Sequence, residues 1–528
     1  MSPPGRPKGE YRSAQHEGAT VSTAPGSLQL SLVSHTNVGK TTLARTLLGR
    51  DVGEVRDAPH VTEVADAYEM LRTPQGETLR LWDTPGFGDS VRLLRRMQQA
   101  GQPLGWFLSQ VWDRWRDRPF WASQQALRHV AQTSDVVLYL VSAAEEPQAA
   151  AYVASEMALL RWVGKPVIVL VNQLGMPRES ALEQAELQRW REHLAGFETV
   201  AQVLPLDAFA RCWVQEGVLL QAIEMCLQGE ARAMMQRLRA AWSVQQLARY
   251  GAALDVLARS MARLAAARAQ LADAPGLRSG LRKLGAALGL RADERNPTLL
   301  AQAALAEALD VEVRASTTQL IELHGLSGQA QGEILQRLAS HYQLTLRMDE
   351  SKAALIGGAL TGALVGLKAD VASGGLTLGG GLLAGGLLGA LSAAGLARAV
   401  NLVRGTDTSW ITWNGEALDS LLVAALLRYL AVAHFGRGRG DWERAETPAH
   451  WKPVVEAAVA AEATTLAALW AGRSAQSDSD VVAAALEPPL HALVDRLLRT
   501  TLAQLYPQSP LPIAATSVAA MDDRSRSD

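Results

Sequence analysis

Only two cysteines, Cys212 and Cys226, occur in 528 residues. That excludes a disulfide framework and a multi-cysteine zinc site. An excess of one charge is missing too: 51 Lys and Arg face 53 Asp and Glu, a net charge of -2. A chain whose main task is to coat nucleic acid needs a basic surplus, which leaves only a local patch open here. The first residues, MSPPGRPKGEYRS, carry no apolar run, so no secretory signal is expected. No repeat of 20–50 residues is visible, and the histidines, His324 and His341 among them, show no metal-ligand spacing. What is abundant is apolar: hydrophobic residues make up 48% and charged residues 20%, enough to bury cores in two to four domains. The 44 glycines are unevenly spread, with a dense block near 357–395.

Residues 1–27 and 506–528 are rich in Pro, Gly, Ser and Thr and lack periodicity, so they read as a disordered leader and tail. From 28 to 228, short apolar runs at 28–34, 78–83, 136–141, 167–172 and 200–205 alternate with helical patterns at 41–49, 147–163 and 178–194. That alternation predicts an α/β domain with a mainly parallel sheet. Residues 64–72, the turn TPQG and 77–83 read as a hairpin. From 229 to 505 the pattern is helical, with one long helix at 230–272 and others at 277–289, 298–309, 327–342, 415–434, 450–472 and 478–504. The expectation is an all-α second domain.

The strongest motif is LQLSLVSHTNVGKTTL: a strand, the run Ser34-His35-Thr36-Asn37-Val38-Gly39-Lys40-Thr41-Thr42, then a helix. This is a phosphate-binding loop in the strand–loop–helix context it requires. Successive backbone N–H groups and a helix N-terminus wrap a β-phosphate. Lys40 is placed to reach the β and γ oxygens, and the Thr41 hydroxyl to ligate Mg²⁺. Ser34 stands where such loops begin with Gly, so some strain is expected. A second motif, Leu79-Arg80-Leu81-Trp82-Asp83-Thr84-Pro85-Gly86-Phe87-Gly88, ends a strand in a carboxylate 43 positions after Lys40. Asp83 falls at the edge of the sheet beside the loop, where it can hold Mg²⁺ through water, and Gly86 can offer its N–H to a γ-phosphate.

Asn-Val-Gly-Lys-Thr with Asp-Thr-Pro-Gly resembles the translation-factor-related GTPases, in particular the Era/TrmE-like branch, over residues 28–228. The resemblance implies GTP and GDP as ligands with Mg²⁺. It implies a switch I threonine on that ion, for which Thr62 is the best match, and a role for Asn37 beside the phosphates, where some of these proteins hold K⁺. The expected nucleotide-binding set is Ser34, Asn37, Val38, Gly39, Lys40, Thr41, Thr42, Gly86 and Asn172. Lys40, Thr41 and Asp83 carry the catalytic work, and Thr41, Thr62 and Asp83 the metal.

Base recognition departs from the pattern. Where the family has Asn-Lys-x-Asp, this chain has Asn172-Gln173-Leu174-Gly175, without the carboxylate that pairs with guanine. Asp207 is a candidate substitute, or a loop residue capping the next helix. Phe87 stands where a glutamine often orients the attacking water, so intrinsic hydrolysis should be slow. Asp89 nearby reads as a turn residue.

Residues 90–125 form an insertion in which Trp106, Phe107, Trp112, Trp115, Phe120 and Trp121 mix with Arg92, Arg95, Arg96, Arg114, Arg116 and Arg118. A helical insertion packed on the domain, a membrane or protein surface, and an RNA surface are the three readings.

The runs 353–367 and 371–397 place Gly358, Gly362 and Gly366, and Gly381, Gly385 and Gly389, at i, i+4, i+8. Each glycine costs about 1 kcal/mol in a water-exposed helix, whereas lipid enforces helix and tolerates glycine. A Gly-zipper hairpin inserted in the membrane is one reading; a buried soluble hairpin and a loop are the others.

The whole arrangement resembles bacterial proteins with an Era/TrmE-type GTPase domain and a C-terminal helical domain of unknown function. Taken with Phe87, the glycine runs and the balanced charge, the expectation is a slow GTPase switch, cytoplasmic and tied to the inner membrane through 353–397, with a homo-oligomer or protein partner and no nucleic acid. The alternatives are a nucleotide-binding scaffold that does not hydrolyse, and a ribosome- or RNA-associated factor.

Overall fold

A computed structural model describes residues 26–35, 38–48, 66–99, 118–172, 180–206, 213–270, 297–326, 400–404, 409–434, 450–475 and 478–507. Asn37, Thr62, Gln173, Gly175, Asp207, Cys212, most aromatics of the insertion and the hairpin 353–397 lie outside the described residues.

The first half is a six-stranded sheet in the order β2-β3-β1-β4-β5-β6. Its strands are β1 (Ser27–Ser34), β2 (Asp66–Arg72), β3 (Thr78–Asp83), β4 (Val136–Ser142), β5 (Val167–Asn172) and β6 (Val200–Pro205). All neighbours are parallel except β2 and β3, which form the expected hairpin. Its turn needs Gly76 at φ 93°, a region that favours glycine.

Period-2 alternation then assigns the two faces. Leu30, Leu32, Leu81, Leu138 and Ile168 belong to one buried cluster, while Val33, Val137, Tyr139, Val169 and Val171 belong to a second. Helices α2 (Ser90–Gln99), α3 (Arg118–Thr133), α4 (Tyr152–Val163) and α5 (Ser180–Leu194) cover the second face. The first face receives α1 (Lys40–Leu48), α6 (Trp213–Cys226) and the helical half itself.

That half is organised by α7 (Gly229–Ala266), 38 residues long, which spans about 57 Å. Along it pack α8 (Pro297–Leu323), α9 (Gly415–Ala433) and α12 (Ser479–Leu505). Leu238, Trp242, Leu254 and Leu257 of α7 share one continuous core with Leu30 and Leu81 of the sheet and Leu493 and Leu497 of α12. The two halves are therefore not joined by a bare linker.

Among the described residues the helical half departs from expectation in four places, the first being that the helix expected at 298–309 extends over Pro297–Leu323; the helices expected at 277–289 and 327–342 lie outside them. The long helix stops at Ala266 instead of running to 272, because Arg268–Gln270 (β7) pairs with the aromatic, β-branched run Ser409–Trp413 (β9). With β8 (Val400–Arg404) these form a three-stranded antiparallel sheet inside an otherwise helical region. The pattern at 450–472 is two helices, α10 (Trp451–Ala461) and α11 (Ala463–Ala471), bent by 64° about Glu462. Among the described residues no single helix is long and apolar enough to cross a membrane, although this bent pair qualifies by length and composition.

A cavity of about 310 Å³ lies between the halves, where Leu47 of α1 and Met70 of β2 face Trp213, Trp242 and Tyr250.

Candidate nucleotide-binding site

β1 ends at the fully buried Ser34 and α1 begins at Lys40. Between them Gly39 turns the chain at φ 91°, which explains the glycine at that position. Ser34 itself is paired with Leu140 of β4. That is an extended position any residue adopts, so the strain expected of a serine there does not arise. Its hydroxyl bonds to the His35 carbonyl and accepts from Lys40 Nζ at 3.3 Å. Lys40 is buried beside Val38 and Thr42. Burial pushes its ammonium pKa below the usual lysine value, against the attraction of Asp83 and Glu156. Such a cation is poised for phosphate oxygens.

The strand order places the end of β3 next to the loop. Thr41 Oγ1 donates to Asp83 Oδ2 at 2.5 Å. The sequence motifs named these two residues independently, and the fold brings them together. A hydroxyl and a buried carboxylate are hard oxygen donors of the kind Mg²⁺ takes, sharing the ion with phosphate and water. No group of three or more His, Cys, Asp or Glu able to hold a metal ion occurs among the described residues. Thr41 and Asp83 would hold the ion, which would neutralise phosphate charge.

After Asp83 the chain is fastened to the loop. Thr84 Oγ1 donates to the Leu32 carbonyl at 2.5 Å, and the Phe87 N–H to the Ser34 carbonyl at 2.9 Å. Gly86 is buried at this junction. The Phe87 ring is fully buried in a cluster with Leu93 and Phe120. Phe87 thus serves as an anchor and offers nothing to orient water. Asp89 accepts from the Arg92 N–H at 3.0 Å and caps α2, the turn role expected of it. From the insertion, Phe120 packs inward under the Arg92 guanidinium, 4.2 Å from its ring centre.

Asn172 is fully buried at the end of β5, and its Nδ2 donates to the Val38 carbonyl at 2.8 Å. This bond ties the base-recognition strand to the phosphate loop.

One polar cluster beside the loop escaped the sequence reading. His35 Nδ1 lies 2.9 Å from Oε1 of Glu156, whose other oxygen accepts from the Tyr139 hydroxyl at 2.7 Å. The imidazole stacks on Tyr152 at 4.3 Å, and the Tyr152 hydroxyl donates to Glu145 at 2.5 Å. The hydrogen bond to Glu156 raises the His35 pKa against partial burial. Burial raises the Glu156 pKa, opposed by bonds from His35 and Tyr139. The sequence did carry a signal: Glu156 occupies the apolar stripe of Val153, Met157 and Leu160 on α4.

Two family models match this chain. One, described as "50S ribosome-binding GTPase", covers residues 29–173 and so contains most of β1, the loop and Asn172. The other, described as "Domain of unknown function (DUF3482)", covers residues 191–487, more than half of the 528. The chain belongs to the DUF3482 family. In this DUF3482 protein the family region starts within α5 and ends within α12, so β6, α6 and the helical half up to the first turns of α12 lie inside it. The segment 29–173 is a P-loop GTPase domain of the Era-like type. GTPase Era of Heliobacterium modesticaldum (strain ATCC 51547 / Ice1) is 27% identical over 168 residues, 31% of this chain and 46% of that protein. The chain thus spans about half the length of this curated relative. Among solved structures, Era of Aquifex aeolicus bound to GDP·AlF₄⁻ matches at 16% identity and TM-score 0.29, covering 39% of this chain and 58% of that one. Era in complex with MgGDPNP and a 16S ribosomal RNA fragment gives the same values. The strand order β2-β3-β1-β4-β5-β6 and the loop between β1 and α1 themselves define the P-loop fold.

Proposed function

We propose that this DUF3482 protein binds GTP and GDP with Mg²⁺ at the 34–42 loop and acts as a slow GTPase switch. The observation that supports it most is the Thr41–Asp83 bond, which unites the hydroxyl and carboxylate of two separate motifs beside Lys40. In this reading Lys40 binds the terminal phosphate oxygens, and the N-terminus of α1 cradles the β-phosphate. Thr41 and Asp83 hold Mg²⁺, with Thr62 and Asn37 as further contacts. The Gly86 N–H meets the γ-phosphate, and the bond of its neighbour Phe87 to the Ser34 carbonyl holds it beside the loop. Guanine is favoured by the family likeness. Hydrolysis is slow because Phe87 is buried where a water-orienting group is needed.

The switch is cytoplasmic and meets the inner membrane through the Gly-zipper hairpin 353–397, a reading supported by its glycine spacing and by the 27 uncharged residues of the run 371–397. Carbonate washing of membranes tests this part: retention is expected, and complete release defeats it. Phosphate release by the purified protein, abolished in Lys40→Ala, tests the enzymatic part.

A second reading, a nucleotide-binding scaffold without turnover, is favoured by the burial of Phe87. Binding without phosphate release, even with liposomes and K⁺ present, would select it. Ribosomal partners are named for the matched GTPase family and for the Era–RNA complex. Cosedimentation with ribosomes would bring such a partner to this chain and replace the expectation that it binds no nucleic acid.

A further inference from the structure

We propose that His35 and Glu156 form a lock that positions the phosphate loop, making both of them positioning residues for nucleotide binding. The inference rests on the nucleotide-binding reading above.

Several bonds converge on the loop. Before it, the Ser34 carbonyl accepts from Phe87, and His35 forms a bridge with Phe87 through its backbone. After it, the Val38 carbonyl accepts from Asn172, and the Gly39 carbonyl receives the first helical bond of α1 from Leu43. His35 adds a side-chain hydrogen bond from the loop to α4, a helix that also packs against α2. Glu156 is fully buried, whereas the His35 side chain is 30% exposed. A carboxylate this deep inside an apolar layer is costly unless every oxygen is bonded, and here both are. The groups facing the pair are Tyr139 of β4, Tyr152 of α4, Glu145 of the β4–α4 connection and Lys40 of the loop.

A phosphate-binding loop works by presenting several N–H groups in fixed directions. Ordering it on binding subtracts from affinity, and ordering it beforehand removes that cost. The lock holds the start of the loop without touching the phosphates. Its loss should weaken binding and leave the chemical step nearly alone.

Glutamine at 156 can keep both bonds: its carbonyl accepts from His35, and its amide donates to the Tyr139 oxygen. Leucine can keep neither. The test is the dissociation constant of a fluorescent GDP analogue, with KM and kcat for GTP and the thermal midpoint, on the full chain. Glu156→Leu and His35→Leu should each weaken binding and raise KM about tenfold, with kcat within about twofold, while Glu156→Gln stays within about threefold of the parent. Because His35 is partly exposed, His35→Leu should fold normally and keeps the test decisive if Glu156→Leu does not fold. Parental affinity in His35→Leu overturns the proposal, as does a Gln variant as weak as the Leu variant. A parent chain that binds no nucleotide at all instead defeats the reading under Proposed function, and this inference with it.

Discussion

Thr41 and Asp83 stand 42 positions apart and share a 2.5 Å hydrogen bond. One lies in the first turn of the helix after the phosphate loop, and the other ends the neighbouring parallel strand. Removing either partner should therefore strike the metal rather than the fold. Asp83→Asn keeps the shape and an acceptor for Thr41 but loses the charge. It is expected to weaken the Mg²⁺-dependent part of nucleotide binding by about tenfold or more, while binding in EDTA changes little. Titrations with and without Mg²⁺ check this.

Phe87 invites a repair that should fail. Phe87→Gln restores the residue type that orients water elsewhere, but the side chain here enters a closed apolar cluster with Leu93 and Phe120. The expected outcome is a loss of about 2–4 kcal/mol in stability and no gain in phosphate release. Denaturant unfolding and a phosphate assay on the same preparation separate the two effects.

The halves are joined in two ways of unequal weight. Arg237 of α7 makes a bidentate pair with Glu77 in the β2–β3 hairpin and also reaches Glu230, all at the surface. Trp242 of the same helix is 2% exposed and packs on Trp213 and Gly217. Arg237→Ala should leave the thermal midpoint nearly unchanged, because exposed pairs contribute little. Trp242→Ala should cost about 3–5 kcal/mol, with sheet and helices still melting together because they share one core. Calorimetry of both variants checks the contrast.

Acid should destabilise the helical half. Burial lowers the pKa of His324 and of His434 to about 4 in each case. Between that value and the unfolded value of about 6.5, the unfolded chain binds more protons than the folded one, so stability falls as pH falls. The full effect is on the order of 3 kcal/mol per histidine, reached near pH 4. Unfolding free energies measured between pH 7 and 4 should decline, and His324→Asn should flatten the decline.

Much of the first half was legible because its signals are local. A strand running into Val38-Gly39-Lys40-Thr41 and a strand ending in Asp83 each state their own geometry, and parallel pairing of β1 and β3 does the rest. The His35–Glu156 pair was hidden because it joins residues 121 positions apart, and only the polar interruption on α4 hinted at it. The small sheet was hidden for a related reason. β7 has three residues, too few to show alternation, and takes its conformation from β9 more than 130 positions later. The bend at Glu462 lies in a sequence whose apolar spacing continues across it, so periodicity alone reads one helix.

The central claim is that the 34–42 loop binds a guanine nucleotide. Isothermal titration of GDP with Mg²⁺ into the full chain tests it most directly, beside Lys40→Ala and with GTP and ATP as competitors. The account predicts saturable binding at one site, displaced by GTP much better than by ATP, and absent in Lys40→Ala. Binding that survives intact in Lys40→Ala, or no binding by the parent chain, would contradict it.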